Sequence, residues 1–140
     1  MNERIKVLIV DDDILFRQRL GKLFEASEEI QMVGEATNGE EVISKIWETS
    51  PNLILMDIKT PRVDGSECIK SVKESCPQLS IIAISTYADI ECLLKAINAG
   101  ATGYIKKDVP ADILVGTITQ VHRRNKPLVH LTAEQVEIQS

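Results

Sequence analysis

The sequence is poor in aromatic side chains. Phe, Tyr and Trp make up 4% of it, with a single Trp, so any interior must be filled by Ile, Leu, Val and Ala. Cysteine is scarce too. Cys68, Cys76 and Cys92 are odd in number and lack C-x-x-C spacing, which argues against a disulfide framework or a zinc knuckle and for reduced thiols in a reducing cytoplasm. The two histidines, His122 and His130, have no partner at metal-ligand spacing. Positive charge is in deficit: 16 Lys and Arg stand against 21 Asp and Glu, a formal net charge of −5 and the wrong sign for a surface that holds nucleic acid or an anionic membrane. No apolar run approaches the roughly 20 residues of a membrane span. The N-terminus enters charged sequence too early for a signal peptide, so a cytoplasmic protein with no membrane partner is expected.

What is present is ordinary globular composition: 140 residues, 44% apolar and 26% charged, enough for one sizeable core. Short aliphatic runs at residues 5–10, 31–35, 53–56, 81–84 and 103–105 have strand length and polar or turn boundaries. Between and after them, apolar residues recur at helical spacing. The sets are Phe16, Leu20, Leu23 and Phe24; Val42, Ile43, Ile46 and Trp47; Ile69 and Val72; Ile90, Leu93, Leu94 and Ile97; and Ile113, Leu114, Ile118 and Val121. Each set predicts a helix that buries one stripe. Thr37 or Asn38 with Glu40 or Glu41, and Asp64 with Glu67, supply capping-box signals for the second and third helices, and Pro110 suits the first turn of the last. Strict alternation of five strands and five helices implies parallel pairing through right-handed crossovers. The expected fold is an α/β doubly wound sheet of flavodoxin-like order 2-1-3-4-5, with helices on both faces.

In such a sheet, ligands bind beyond the carboxyl ends of the strands. The first strand ends in Asp11, Asp12 and Asp13, the third in Asp57, the fourth in Ser85 and Thr86, and the fifth in Lys106 and Lys107. Carboxylates of Asp11, Asp12 and Asp57 gathered at one edge repel one another unless a cation sits among them, and oxygen-only donors suit Mg²⁺ rather than Zn²⁺. A lysine and a hydroxyl beside that ion complete a site for a phosphoryl group. Asp57, alone at its strand end, is the candidate nucleophile, with Asp11 and Asp12 holding the ion. Asp13 reads as the cap of the first helix.

These residues resemble the receiver domains of two-component response regulators over about residues 5–121. Val10-Asp11-Asp12 resembles the family's acidic pair. The run from Asp57 to Gly65 resembles its D-x-x-M-P-x-x-D-G phosphoacceptor segment, and the run from Ala99 to Lys107 its A-G-A-x-G-Y-x-x-K segment. The resemblance implies that a sensor histidine kinase, or a small phosphodonor, phosphorylates Asp57. It also implies Mg²⁺ on Asp12, Asp57 and the main-chain carbonyl of Lys59, with Asp11 acting through water. Lys107 would pair with the phosphoryl oxygens, Ser85 and Tyr104 would occupy the two switch positions, and the fourth helix, fifth strand and fifth helix would rearrange together. Self-modification of this kind is not enzymatic turnover. Thr60 stands where the family usually has Met, and Lys59, two residues past the nucleophile, can lie over the site.

Gly103-Tyr104-Ile105-Lys106-Lys107-Asp108 is similar to the subgroup with a LuxR-type (NarL-like) helix-turn-helix output. The expected organisation is a receiver over residues 1–122, a linker over 123–130 and the start of a DNA-binding domain over 131–140. There Leu131 and Thr132 open a capped helix with Gln135 and Val136. DNA would then be contacted only through that further domain, and a homodimer on phosphorylation is plausible for the type. A stand-alone relay receiver is the alternative. An Asp-nucleophile phosphatase needs D-x-D-x-[TV], which Leu15 breaks, and a flavin module needs a phosphate-binding loop where three aspartates stand.

Overall fold

The computed structural model describes residues 3–58, 65–86, 90–124 and 128–129. Strands β1 (Ile5–Val10), β2 (Ile30–Ala36), β3 (Leu53–Asp57), β4 (Ser80–Ser85) and β5 (Gly103–Lys106) alternate with helices α1 (Ile14–Glu25), α2 (Val42–Thr49), α3 (Gly65–Ser75), α4 (Ile90–Ala99) and α5 (Ala111–Arg124). Every strand pair is parallel, and the order is β2-β1-β3-β4-β5, as the alternation predicts. A sixth strand, β6 (Leu128–Val129), adds in parallel to the outer edge of β5, pairing Leu128 with Gly103 and Val129 with Tyr104. The sequence reading placed these residues in a linker. Two residues are too short to show a period, and only the open edge of β5 gives them a ladder to join.

Period-two alternation divides the strands between two cores. Leu8, Val10, Ile54, Met56, Ile81 and Ala83 face α2, α3 and α4, while Val7, Ile9, Leu53, Leu55, Ile82 and Ile84 face α1 and α5. Each Val, Leu, Ile or Met side chain among these, removed wholly from water, contributes about 1.5–3 kcal/mol. Two helices bury less than their spacing suggests. Trp47 and Leu94, which the sequence places in buried stripes, are 72% and 53% exposed, and Ile97 is 38% exposed. On α2 only Val42 and Ile46, one turn apart, are fully buried, and on α4 only Leu93 and Ala96 are, with Ile43 and Ala99 half-buried against the same core. Their neighbours point about 100° away around the helix.

Local chemistry sets the helix starts. Asp13 Oδ1 accepts the amides of Leu15 (3.0 Å) and Phe16 (3.2 Å), capping α1. Asn38 caps not α2 itself but a 3₁₀ turn, Gly39–Glu41, that leads into it, accepting the Glu40 amide at 2.9 Å. Glu41 reaches back to the Thr37 amide and hydroxyl, and these bonds hold its carboxyl below the ordinary range. Pro110 lies just before α5, its carbonyl accepting the amides of Ile113 and Leu114. Asp64, expected to cap α3, lies outside the described residues. Gly65 opens α3 against the backbone past β3: a Cβ there would stand 2.4 Å from Ile58 Cα, so only glycine allows this approach.

Candidate functional site

Parallel pairing brings the ends of β1, β3, β4 and β5 to one edge, where the chemistry collects. Asp11 is fully buried and Asp57 6% exposed, while Asp12 faces solvent. Lys107, one residue beyond β5, turns its ammonium into the gap between β1 and β3. Its Nζ lies 2.6 Å from Asp11 Oδ2 and 2.9 Å from Asp57 Oδ2. The main chain fixes this reach, because the Lys107 amide donates to the Ser85 carbonyl at 2.8 Å and extends the β4–β5 ladder by one residue. The Phe16 ring lies under the ammonium, 4.8 Å from centroid to Nζ, so the cation also meets a π face.

The electrostatics follow from burial and from these partners. Desolvation pushes the Asp11 carboxyl above its usual 3.8, with the Asp57 charge adding to it and Lys107 and the Asp13 amide opposing. Burial alone would lower the Lys107 ammonium, but the two carboxylates outweigh it and hold it above 10.5. Ligand oxygens of Asp11, Asp12 and Asp57 lie within 4.8 Å of one another. The buried Asp11 Oδ2 accepts from the Lys107 ammonium and meets no other partner among the described residues. Three carboxylates balanced by one ammonium, in an all-oxygen cluster open to water on the Asp12 side, leave a net negative charge that fits a hard divalent cation keeping part of its water shell, as Mg²⁺ does.

The structure thus brings together Asp11, Asp12, Asp57 and Lys107. Ser85 ends β4, fully buried, next to Lys107 in the ladder, and Tyr104 is fully buried in the core under α4. Lys106 stays out of the site and pairs with Asp108 at 3.6 Å. Lys59, Thr60 and residues 130–140 lie outside the described residues. The sequence reading missed Phe16, as a partner of Lys107, and Arg17. The Arg17 guanidinium donates to the Asp11 carbonyl at 2.6 Å and to Glu35 Oε1 at 3.0 Å. The one available signal was an arginine in the first turns of the helix that follows the acidic pair.

The family profile described as the response regulator receiver domain matches residues 7–119. The chain belongs to the response regulator receiver family. Among relatives of this receiver, Transcriptional regulatory protein LnrK of Bacillus subtilis is 35% identical over 118 residues, covering 84% of this chain and 54% of that protein. The uncharacterized transcriptional regulatory protein YhcZ of the same organism is 39% identical, with 84% and 55% covered. Protein-glutamate methylesterase/protein-glutamine glutaminase 3 of Geobacter sulfurreducens is 33% identical, with 91% and 35% covered. The receiver spans about half the length of the transcriptional relatives, and receivers of this sequence type occur with more than one kind of output. In fold, it matches the signal receiver domain of NarL from Mycobacterium tuberculosis with a TM-score of 0.81 at 24% identity, covering 87% of this chain and 98% of that one. It also matches a LuxR-family two-component response regulator from Aurantimonas sp. with a TM-score of 0.86 at 23% identity, covering 96% and 94%. No helix among the described residues is long and apolar enough to cross a membrane.

Proposed function

We propose that the chain accepts a phosphoryl group on Asp57 from a sensor histidine kinase or a small phosphodonor, with Mg²⁺ as cofactor. The observation that carries this reading is the Lys107 ammonium seated between the buried carboxylates of Asp11 and Asp57, with Asp12 completing the acidic cluster. A carboxylate oxygen of Asp57 attacks phosphorus, a P–O bond forms, and the donor's P–N or P–O bond breaks with its electrons leaving on imidazole or carboxylate. Asp11, Asp12 and Asp57 would hold Mg²⁺, which when bound would supply positive charge to the phosphoryl oxygens. Lys107 exchanges a carboxylate partner for a phosphoryl oxygen, a charge-assisted pair it is already placed to make. The chain accepts one group per molecule rather than turning over a substrate.

The modification replaces a single carboxylate charge with roughly 1.5–2 negative charges. The Ser85 hydroxyl, at the adjoining strand end, moves to donate to the new oxygens. Tyr104, two residues before Lys106-Lys107 on the same strand, transmits the shift to α4, β5 and α5. α4 suits such a role, since only Leu93 and Ala96 of its residues are fully buried. The proposed organisation remains a receiver over residues 1–122, a linker over 123–130 and the opening of a helix-turn-helix domain over 131–140, in a cytoplasmic transcription regulator that dimerises on phosphorylation. The transcriptional regulatory character of LnrK, of which this chain spans about half, supports that reading. Incubation with acetyl phosphate and Mg²⁺ followed by intact-mass measurement tests the central step. Wild type gains one phosphoryl mass and Asp57→Asn gains none. No gain in wild type, or equal gain in the variant, refutes the assignment.

A further inference from the structure

We propose that Arg17 is a positioning residue for the acidic pair, holding the peptide between Asp11 and Asp12 in the orientation the metal requires; the inference rests on the Mg²⁺ reading above. Asp12 is exposed, so packing does little to aim its carboxylate. Its direction depends on the peptide planes that flank it. The plane before it carries the Asp11 carbonyl, which accepts from Arg17 Nη1 at 2.6 Å. The plane after it carries the Asp13 amide, which donates to Asp11 Oδ1 at 2.9 Å. Upstream, the Asp11 amide donates to the Ala36 carbonyl at 3.0 Å, closing the β1–β2 ladder. Among the described residues, Arg17 therefore supplies the one side-chain clamp on the first of these planes.

The guanidinium can do this because it is itself held. Its Nε pairs with Glu35 Oε1 at 3.0 Å, its side chain is only 13% exposed, and Glu35 sits on β2 opposite Ile9, beside the strand that ends in the acidic pair. The Arg17 amide also donates to the Asp13 carbonyl at 3.1 Å, seating the residue in the first turn of α1. A fork with two fixed donors reads two acceptors at once. A lysine ammonium at the same place is a point charge on a flexible stem and cannot reproduce the geometry.

Two physical effects of removing Arg17 oppose each other, and that makes the inference testable by sign. Deleting a cation near three carboxylates strengthens the attraction of the cluster for Mg²⁺. Releasing the Asp11–Asp12 peptide misaims a ligand and weakens it, and loss of a partner that orients a ligand typically costs about 10- to 100-fold in metal affinity. Titration calorimetry with Mg²⁺ on the unphosphorylated full chain decides between them. Positioning predicts that Arg17→Gln binds Mg²⁺ at least about tenfold more weakly than wild type. It also predicts that Arg17→Lys, with its charge kept, binds clearly more weakly than wild type. Native-state hydrogen exchange without metal supplies a second readout, in which the Asp13 amide exchanges faster in both variants. Unchanged or tighter Mg²⁺ binding by Arg17→Gln, or full recovery in Arg17→Lys, overturns the proposal. If Arg17→Gln fails to fold, the charge-preserving variant alone decides. Wild type that binds no Mg²⁺ defeats the metal reading itself, and this inference with it.

Discussion

Two half-buried lysines at opposite ends of the sheet show how partners, rather than burial, decide what a charge does. Lys73, in the last turn of α3, donates to the carbonyls of Pro77 and Leu79, both at 2.8 Å, and its stem lies against Gly100. Gly100 has φ +116° and needs glycine on that account, and a Cβ there would also meet Lys73 Cγ at 2.9 Å. With only neutral oxygens to face, the Lys73 ammonium is pushed by burial below its ordinary 10.5. Lys107, at the carboxyl end, feels the same desolvation but meets two carboxylates, and stays above 10.5. The first lysine braces a turn between α3 and β4. The second balances charges that could not otherwise stay buried side by side, and it is the one positioned to meet an incoming anion.

The largest expected effect comes from removing that balance. Lys107→Met should lower stability at pH 7 by about 3 kcal/mol in urea denaturation, because two buried acidic groups are left side by side without their counter-ion. Millimolar Mg²⁺ should return much of the loss by taking the ammonium's place. A variant as stable as wild type, or one indifferent to Mg²⁺, breaks the contrast between the two lysines. Lys73→Met should cost less, about 1 kcal/mol, since it leaves only neutral carbonyls behind, that of Pro77 on an exposed residue, and its stem packing is kept. Mg²⁺ should not alter that figure, and a larger loss would show the two sites to be alike.

The smallest effect is the pH dependence, and the two lysines give it opposite signs. For Lys73, whose native value is lowered, the unfolded chain holds a proton the folded chain has shed just below pH 10.5, so stability rises with pH in that window. For Lys107, whose native value is raised, the stabilisation is complete below 10.5 and is lost as pH climbs through the folded value. Urea titrations from about pH 8 to 12, compared between wild type and each Met variant, separate the two. Lys73→Met should remove the rise and Lys107→Met the fall.

Much of the architecture was legible because it depends on local pattern. The runs Ile5–Val10 and Ser80–Ser85 alternate between two apolar faces, and such strands have few other ways to bury both. The candidate site was legible for a related reason: in a parallel sheet the residues that follow successive strands share an edge, so Asp11, Asp57 and Lys107 could be grouped without coordinates. The stripes of α2 and α4 were less well read. Helical spacing states which residues share a side, but the width of the buried stripe depends on how closely each helix approaches the sheet. Trp47 and Leu94, each one residue past a buried neighbour and so about 100° around the helix from it, lie in solvent.

The amino-acid order alone determined the strand–helix alternation, the parallel order that follows from it, and the identity of the charged residues at the strand ends, since each depends on periods of two and 3.6 along the chain. Tertiary structure decided which neighbour enters the site. Lys107 turns toward Asp11 and Asp57 while Lys106 pairs with Asp108, and Arg17 bridges Asp11 to Glu35, eighteen residues away in sequence. It also decided that β6 joins the edge of β5. These outcomes depend on strand register and on distances across space, and a one-dimensional pattern carries neither.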